Sequence, residues 1–216
     1  MRRARDVLTD VENGLLAEQG EICAYTGLRI AIRSANDAPE TTRDVDFHIE
    51  HLRPQVHCSD GKDTEYSNIV ACWPRPNCGF EPAFGARKKQ SWPSPQEETL
   101  FVSPLRDDCS ARFTFNYRGE IAATYSNDQA AVETISRLGL DHDTLKELRK
   151  KAILGAFHPR GRPIRLKEAL RLRSQLDKDS QALDRYLNVQ LKPFCFVIRQ
   201  ALEHEIRKLE GIMGLR

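Results

Sequence analysis

The amino-acid sequence predicts an α+β protein that is mostly helical, with short strands in its first half and its middle. Apolar residues recur at helical spacing in residues 7–16, and Gly20 follows as a stop for that helix. Residues 45–50 and 68–73 carry strand signals, the second with two β-branched residues. The second half returns to helical spacing, so we expect short strands embedded in a single, mostly helical domain.

Turn and loop signals separate these elements. Residues 34–44 are rich in Asn, Asp, Pro and Thr and predict a loop. Five prolines in residues 73–95 exclude a long helix there and leave room only for a short one at residues 84–90. Residues 113–117 alternate in polarity, and together with residues 121–125 they predict a β-hairpin.

Helical spacing dominates the second half of the chain. One apolar stripe runs through residues 131–138 and ends at Gly139, and the next helix begins at about residue 145. A longer amphipathic helix is predicted for residues 166–191, and Pro193 separates it from a last helix. These helices account for the mostly helical character that we expect.

The composition is that of an ordinary globular domain. Charged residues make up 30% and hydrophobic residues 40% of the 216 residues, which argues against general disorder. No run reaches the roughly 18 apolar residues that a membrane span needs, so we expect a cytoplasmic protein without a membrane partner. The net charge of +2 does not by itself indicate a nucleic-acid partner, because basic side chains act through clustering.

The six cysteines do not predict a disulfide framework, because the sequence shows no secretory signal. No Cys-x-x-Cys pair occurs, so a standard four-cysteine zinc site cannot be assembled. We therefore expect reduced thiols.

Chemically active side chains concentrate at the end of the strand predicted at residues 45–50. His48, Glu50 and His51 fall within four residues there, and burying such groups without a role is costly. Histidine can take a proton from water near neutral pH, and a carboxylate can hold a divalent metal ion. Alternate residues of a strand share a face, so we expect the chain to turn at about His51 if Glu50 and His51 serve one site.

Two later segments could complete such a site. Asn68 could orient the histidine by hydrogen bonding, and the basic run Arg87, Lys88 and Lys89 offers cations for phosphate. Both features also have a structural interpretation. A basic run can be a solvated face, and an asparagine can cap a strand or a turn.

Four motifs follow one another along the chain: EICAYTG at 21–27, HIEHLRPQ at 48–55, YSNIVAC at 66–72 and GARK at 85–88. In this order they resemble the HNH nuclease family that includes the nuclease subunit of Septu anti-phage systems and of the retron systems sharing its genes. Shorter matches extend the likeness to about residues 8–155. Ordered matches of this kind are harder to produce by chance than one short motif.

The resemblance implies a ββα-metal (HNH) nuclease core within the mostly helical domain. It assigns three catalytic residues, with His51 as the general base, Glu50 as the acidic metal ligand and Asn68 as the central asparagine. It also implies Mg²⁺ or Mn²⁺ as the catalytic cofactor. The side chains expected to contact nucleic acid are Lys88, Arg87, Lys89 and Arg53.

The resemblance further implies two regions and a function. Residues 1–100 would hold the N-terminal helix and the nuclease core, and residues 101–216 a hairpin and a helical region that docks a partner. The implied function is a metal-dependent endonuclease, the effector of a bacterial anti-phage defence system that works with an ATPase subunit. The alternative is a catalytically reduced HNH module that binds nucleic acid as an adaptor or regulator of the ATPase.

Substrate type and oligomeric state stay open at this level. The base, the metal and the phosphate contacts act on the nucleic-acid backbone, so they do not distinguish DNA from RNA. A homodimer within a larger complex with the ATPase is compatible with the sequence.

The sequence departs from the family at the third metal ligand. A His, Asn or Asp is usual just before the Gly-x-x-Lys-like segment, where this chain has Ala83, Phe84 and Gly85. The nearest alternatives are Glu81 and Asn77. We predict that Glu81 replaces the missing ligand and approaches the same ion as Glu50, because a carboxylate suits Mg²⁺ or Mn²⁺.

The zinc clamp found in many HNH proteins is also incomplete. Cys23 and Cys72 remain, but Thr26 and Phe84 stand where partners would be expected. Cys78 or His57 could complete a distorted site. We favour buried thiols that pack as small apolar groups, and expect no structural zinc.

Overall fold

The fold is α+β, as predicted. The computed structural model describes residues 4–33, 44–59, 61–79, 81–185 and 189–214. Within these residues, six α-helices accompany three two-stranded antiparallel sheets. The elements are α1 (Ala4–Glu18), β1 (Ile32–Arg33), β2 (Asp44–Val45), β3 (His48–His51), β4 (Ile69–Cys72), α2 (Ala86–Lys89), β5 (Phe113–Phe115), β6 (Ile121–Ala123), α3 (Gln129–Leu138), α4 (Asp143–Phe157), α5 (Leu166–Asp184) and α6 (Cys195–Gly214).

The predicted first helix is confirmed as α1, and the chain reverses at Gly20 just after it. Gly20 has φ +56°, and a Cβ there would lie 2.5 Å from Cγ of Leu191. The Leu191 amide donates to the Gly20 carbonyl at 2.9 Å. Glycine is therefore needed for the backbone angle and for the close approach of the distant Leu191 segment.

The strand predicted at residues 45–50 divides into two short strands. β2 pairs with β1, while β3 pairs with β4 so that His48 faces Cys72 and His51 faces Ile69. The expected turn at about His51 lies slightly later, at Leu52 and Arg53. His51 stays in the strand because the ladder continues past it, where the Leu52 amide donates to the Asn68 carbonyl at 2.8 Å.

The β3–β4 hairpin packs against α1 through β4, and α2 packs against α3. The Gln19 side chain accepts from the Ala71 amide at 2.7 Å and donates to the Ala71 carbonyl at 2.9 Å. It therefore pairs with β4 as a neighbouring strand would. The Gly85 amide donates to the Leu138 carbonyl at 2.7 Å, which ties the start of α2 to the end of α3.

The helices of the second half begin where the sequence predicts. The predicted hairpin is confirmed as β5 and β6, and Gly139 ends α3 in the left-handed conformation. The helix predicted for residues 166–191 ends earlier, at Asp184, and residues 186–188 of that prediction lie outside the described residues. By Leu191 the backbone already bonds to Gly20, so tertiary contact diverts the chain from the helix axis.

Two large apolar clusters meet along α4. Leu145 belongs to the cluster that contains α1, β4 and α2, whereas Ile153 and Phe157 belong to the cluster formed with α5 and α6. The hairpin with the polar motif therefore lies on one cluster and the C-terminal helices on the other. Among the described helices, none combines the length and apolar character needed to cross a bilayer.

Replacing Gly119 with alanine should destabilise the fold by about 3 kcal/mol or more. Gly119 has φ +78°, which costs a residue with a Cβ about 1–2 kcal/mol, and the new Cβ would lie 2.1 Å from the Lys146 carbonyl oxygen in α4. Denaturant unfolding measures the effect. The control is Gly155→Ala, where a Cβ meets nothing within 4 Å and helix propensity should add about 0.5–1 kcal/mol. Equal midpoints for the two variants would contradict this packing.

Candidate functional site

The polar motif lies at the open end of the β3–β4 hairpin, where His51 ends β3. The half-buried His51 ring places Nε2 3.0 Å from the Asp63 carbonyl oxygen. A carbonyl oxygen only accepts, so Nε2 carries the hydrogen and Nδ1 of the neutral ring keeps its lone pair. The second nitrogen is then able to accept a proton, as a general base must.

Asn68 holds the loop between β3 and β4 in place. Its Oδ1 accepts from the Arg53 amide at 2.8 Å, and its Nδ2 donates to the carbonyls of Arg53 at 3.2 Å and Lys62 at 3.3 Å. These bonds fix the main chain two residues after His51 and the segment that carries Asp63. Asn68 therefore bonds to the loop main chain, and not to the imidazole as the sequence suggested, so it reaches His51 only through the loop that it organises.

Glu50 faces away from His51, because β3 remains a strand through both residues and neighbouring side chains alternate. Its Oε1 accepts from Lys89 Nζ at 2.9 Å, and its Oε2 lies 3.7 Å from His48 Nε2. His48 Nδ1 donates to the Pro74 carbonyl at 2.5 Å. The structure therefore groups Glu50 with His48 and Lys89, and His51 with the 52–68 loop.

Lys89 is an interior residue, whereas the sequence suggested a phosphate contact. Its side chain is 0% exposed, and Nζ donates to the Glu50 carboxylate and, at 2.8 Å, to the His51 carbonyl. Lys89 points to the interior while Lys88 points to solvent, because consecutive side chains of a helix are about 100° apart. Its ammonium does not reach the surface and is not available to a bound backbone phosphate.

The Glu50 carboxylate lies beside buried ionisable groups. Burial, followed by the negative charge of Glu50, raises the pKa of Tyr25 well above its usual value. Burial is also the main reason that the pKa of Cys72 is raised, with smaller contributions from Cys23 and from Glu50. The Tyr25 hydroxyl is buried and has no hydrogen-bond partner among the described residues. The Glu50 carboxylate therefore borders buried groups, while its own side chain keeps 15% exposure.

The other predicted cations differ in their exposure. Lys88 is exposed and forms no ion pair among the described residues. Arg53 pairs with Glu98 at 2.6 Å on the surface, and Arg87 is half-buried with its Nε enclosed. Lys88 is thus the cation most open to an incoming phosphate, and Arg53 is partly neutralised by its partner.

The resemblance implies a divalent ion, but the described residues around Glu50 do not fit one. No group of three or more His, Cys, Asp or Glu side chains within the described ranges could hold a metal. Glu81 and Asn77 are exposed, and the structure does not bring Glu81 to Glu50 in any such group. Mg²⁺ retains several waters in octahedral geometry, whereas the Glu50 side chain is 15% exposed and already binds an ammonium.

An aromatic ring fills the position at which the family places a ligand. Phe84 is buried and stacks on Trp73, with ring centroids 5.8 Å apart and planes inclined by 12°. It also contacts His142 at a centroid distance of 5.3 Å. Phe84 therefore contributes to core packing at the position where the resemblance leads us to expect a metal ligand.

The incomplete zinc clamp is a buried pair of thiols. Cys23 and Cys72 lie next to each other, and the Trp73 amide donates to Cys23 Sγ at 3.3 Å. Burial opposes ionisation of Cys23, but these contacts and those with Thr26 outweigh it and lower its pKa to about 6. Of the two residues suggested to complete the clamp, His57 bonds instead to the Ser91 carbonyl at 3.1 Å. Both thiols lie in the first apolar cluster.

The sequence interpretation missed the Lys89–Glu50 pair. No local signal marks Lys89 for the interior, because consecutive residues of a helix are about 100° apart and both can face solvent. A comparison with models of protein families finds no match for this chain, and a comparison with curated proteins finds none either.

Proposed function

We propose that this chain is an HNH-type nuclease that hydrolyses phosphodiester bonds, with His51 as the general base. The supporting observation is the His51 ring, whose Nε2 donates to the Asp63 carbonyl and leaves Nδ1 able to accept a proton. The order of β3, β4 and α2 also corresponds to the strand, strand and helix of a ββα core.

In this proposal His51 Nδ1 takes a proton from water, and the resulting hydroxide attacks phosphorus. The bond between phosphorus and the leaving sugar oxygen breaks, and that oxygen takes a proton from solvent. The exposed Lys88 contacts the phosphate and offsets its negative charge. Asn68 keeps His51 in position through the loop. Because the donor set at Glu50 does not fit a divalent ion, no step is assigned to a metal.

The biological setting rests on the sequence resemblance alone. We propose that the nuclease is the effector of a bacterial anti-phage defence system and works with an ATPase. The C-terminal helices would provide the docking surface for the ATPase. Cleavage by the isolated chain could therefore be slower than cleavage by the complex.

A second function is favoured by the contacts of Glu50. Its carboxylate is paired with Lys89, and the described residues contain no three-ligand metal group. A module with these features could bind nucleic acid without cutting it and regulate the ATPase. Retention of His51 and Asn68 in their supporting geometry favours the nuclease.

The two functions are separated by one set of assays with end-labelled duplex DNA, single-stranded DNA and tRNA. The purified chain is tested alone and with any ATPase encoded by a neighbouring gene, in EDTA and in Mn²⁺. We expect endonucleolytic products that disappear in the His51→Ala variant. Binding without products would support the adaptor, and absence of both binding and cleavage would contradict both functions.

A further inference from the structure

We infer that Lys89 is an internal cation that occupies, at Glu50, the place of a divalent ion, and that it positions the end of β3. The inference rests on the proposed nuclease function. It concerns the single ammonium group that joins the carboxylate of Glu50 to the backbone of His51. Lys89 is thus a positioning residue, because its side chain is too deeply buried to touch a substrate.

The contacts of Lys89 are those of a cation with a defined site. Nζ lies 2.9 Å from Glu50 Oε1 and 2.8 Å from the His51 carbonyl oxygen. One acceptor is a carboxylate from the strand, and the other is a main-chain oxygen at the same strand end. A hard metal ion would use the same two kinds of oxygen.

Burial keeps the ammonium in this position. An unpaired charge in the interior is very costly, so Lys89 cannot leave Glu50 without reaching another anion or solvent. Its side chain is 0% exposed, and the pair of Glu50 and Lys89 is formally neutral. A divalent ion on the other carboxylate oxygen would add positive charge beside an ammonium.

The His48 imidazole, which also lies near Glu50, does not change this conclusion. His48 Nε2 faces Glu50 Oε2 at 3.7 Å, so Glu50 and His48 offer two donors. Glu81 is exposed, and Phe84 fills the usual ligand position. A divalent ion at Glu50 would therefore have two protein ligands and a positively charged ammonium beside it. The consequence is that Glu50 is not free to hold a divalent ion while Lys89 is in place.

The position of Lys89 also matters for His51. The ammonium holds the His51 carbonyl from one side, while the Asp63 carbonyl holds the imidazole from the other. Removal of the ammonium should loosen the strand end and expose an unpaired carboxylate. A divalent ion could then occupy the vacated position and restore the contacts.

The experiment measures Mn²⁺ binding by electron paramagnetic resonance in the absence of nucleic acid, so its outcome is independent of nuclease activity. The variants are Lys89→Met, Glu50→Gln and the double variant, in which both charges are removed together. Lys88→Met is the matched control, because Lys88 is the exposed neighbour on the same helix. Circular dichroism checks that each variant folds.

We expect wild type, Lys88→Met and Glu50→Gln to share the same weak Mn²⁺ binding, and Lys89→Met to gain at least about tenfold in affinity. The gain should vanish in the double variant. In the cleavage assay, wild type should be insensitive to EDTA, whereas Lys89→Met should be slow in EDTA and rescued by Mn²⁺. A loss of general stability alone would not produce metal rescue.

The opposite pattern would overturn the inference. Wild-type protein would bind Mn²⁺ tightly, Glu50→Gln would abolish that binding, and Lys89→Met would not strengthen it. If Lys89→Met does not fold, Mn²⁺ titration of wild type against the charge-neutral double variant decides. Equal weak binding agrees with the inference, and a tight site present only in wild type contradicts it. Failure of cleavage with the expected Mn²⁺ results would contradict only the nuclease function.

Discussion

Replacement of His51 with alanine is expected to slow phosphodiester cleavage by about a hundred- to ten-thousandfold, which is the usual contribution of a general base. The imidazole is half-buried, and its one hydrogen bond among the described residues is to the Asp63 carbonyl. The free energy of unfolding should therefore change by only about 1 kcal/mol. Single-turnover cleavage and denaturant unfolding measure the two effects separately.

The matched control for this variant is His57→Ala. His57 lies in the same loop region and also bonds through Nε2 to a carbonyl, that of Ser91. His57 lies in a turn after β3 and not at the end of the strand. Its removal should therefore leave the cleavage rate within about threefold of wild type. Full activity of purified His51→Ala would rule out this base.

Replacement of Asn68 with aspartate is expected to destabilise the fold by about 1–3 kcal/mol, because carbonyl groups in the loop lose their donor. The change keeps the shape of the side chain and the acceptor for the Arg53 amide. It removes the Nδ2 donor, so a carboxylate oxygen faces the carbonyls of Arg53 and Lys62. Misplacement of the 52–68 loop should also slow cleavage by about tenfold to a hundredfold.

Asn77→Asp is the control for the asparagine variant. Asn77 is exposed in the segment after β4, so the same chemical change there should alter neither the melting temperature nor cleavage measurably. Thermal unfolding and single-turnover kinetics are compared at one pH above the titration range of carboxylates. If Asn68→Asp and Asn77→Asp behaved alike in both measurements, Asn68 would not organise the loop.

The features that the sequence determined by itself depend on local rules. Helical spacing followed by Gly20 and Gly139 is enough to place α1 and α3, since periodicity and left-handed glycines act within a few residues. The β-branched run before Cys72 likewise places β4, and alternation in the strand explains why Glu50 and His51 point in opposite directions. The sequence alone was therefore enough to name His51 as the candidate base and Asn68 as its supporting residue.

Only the tertiary structure decided what these residues contact. Lys89 lies 39 residues after Glu50, and its direction depends on which face of α2 packs against the core. The end of α5 before residue 191 depends on Gly20, at the other end of the chain. Such pairings are selected by burial and by complementary charge over long sequence separations, whereas propensity and periodicity report only on near neighbours.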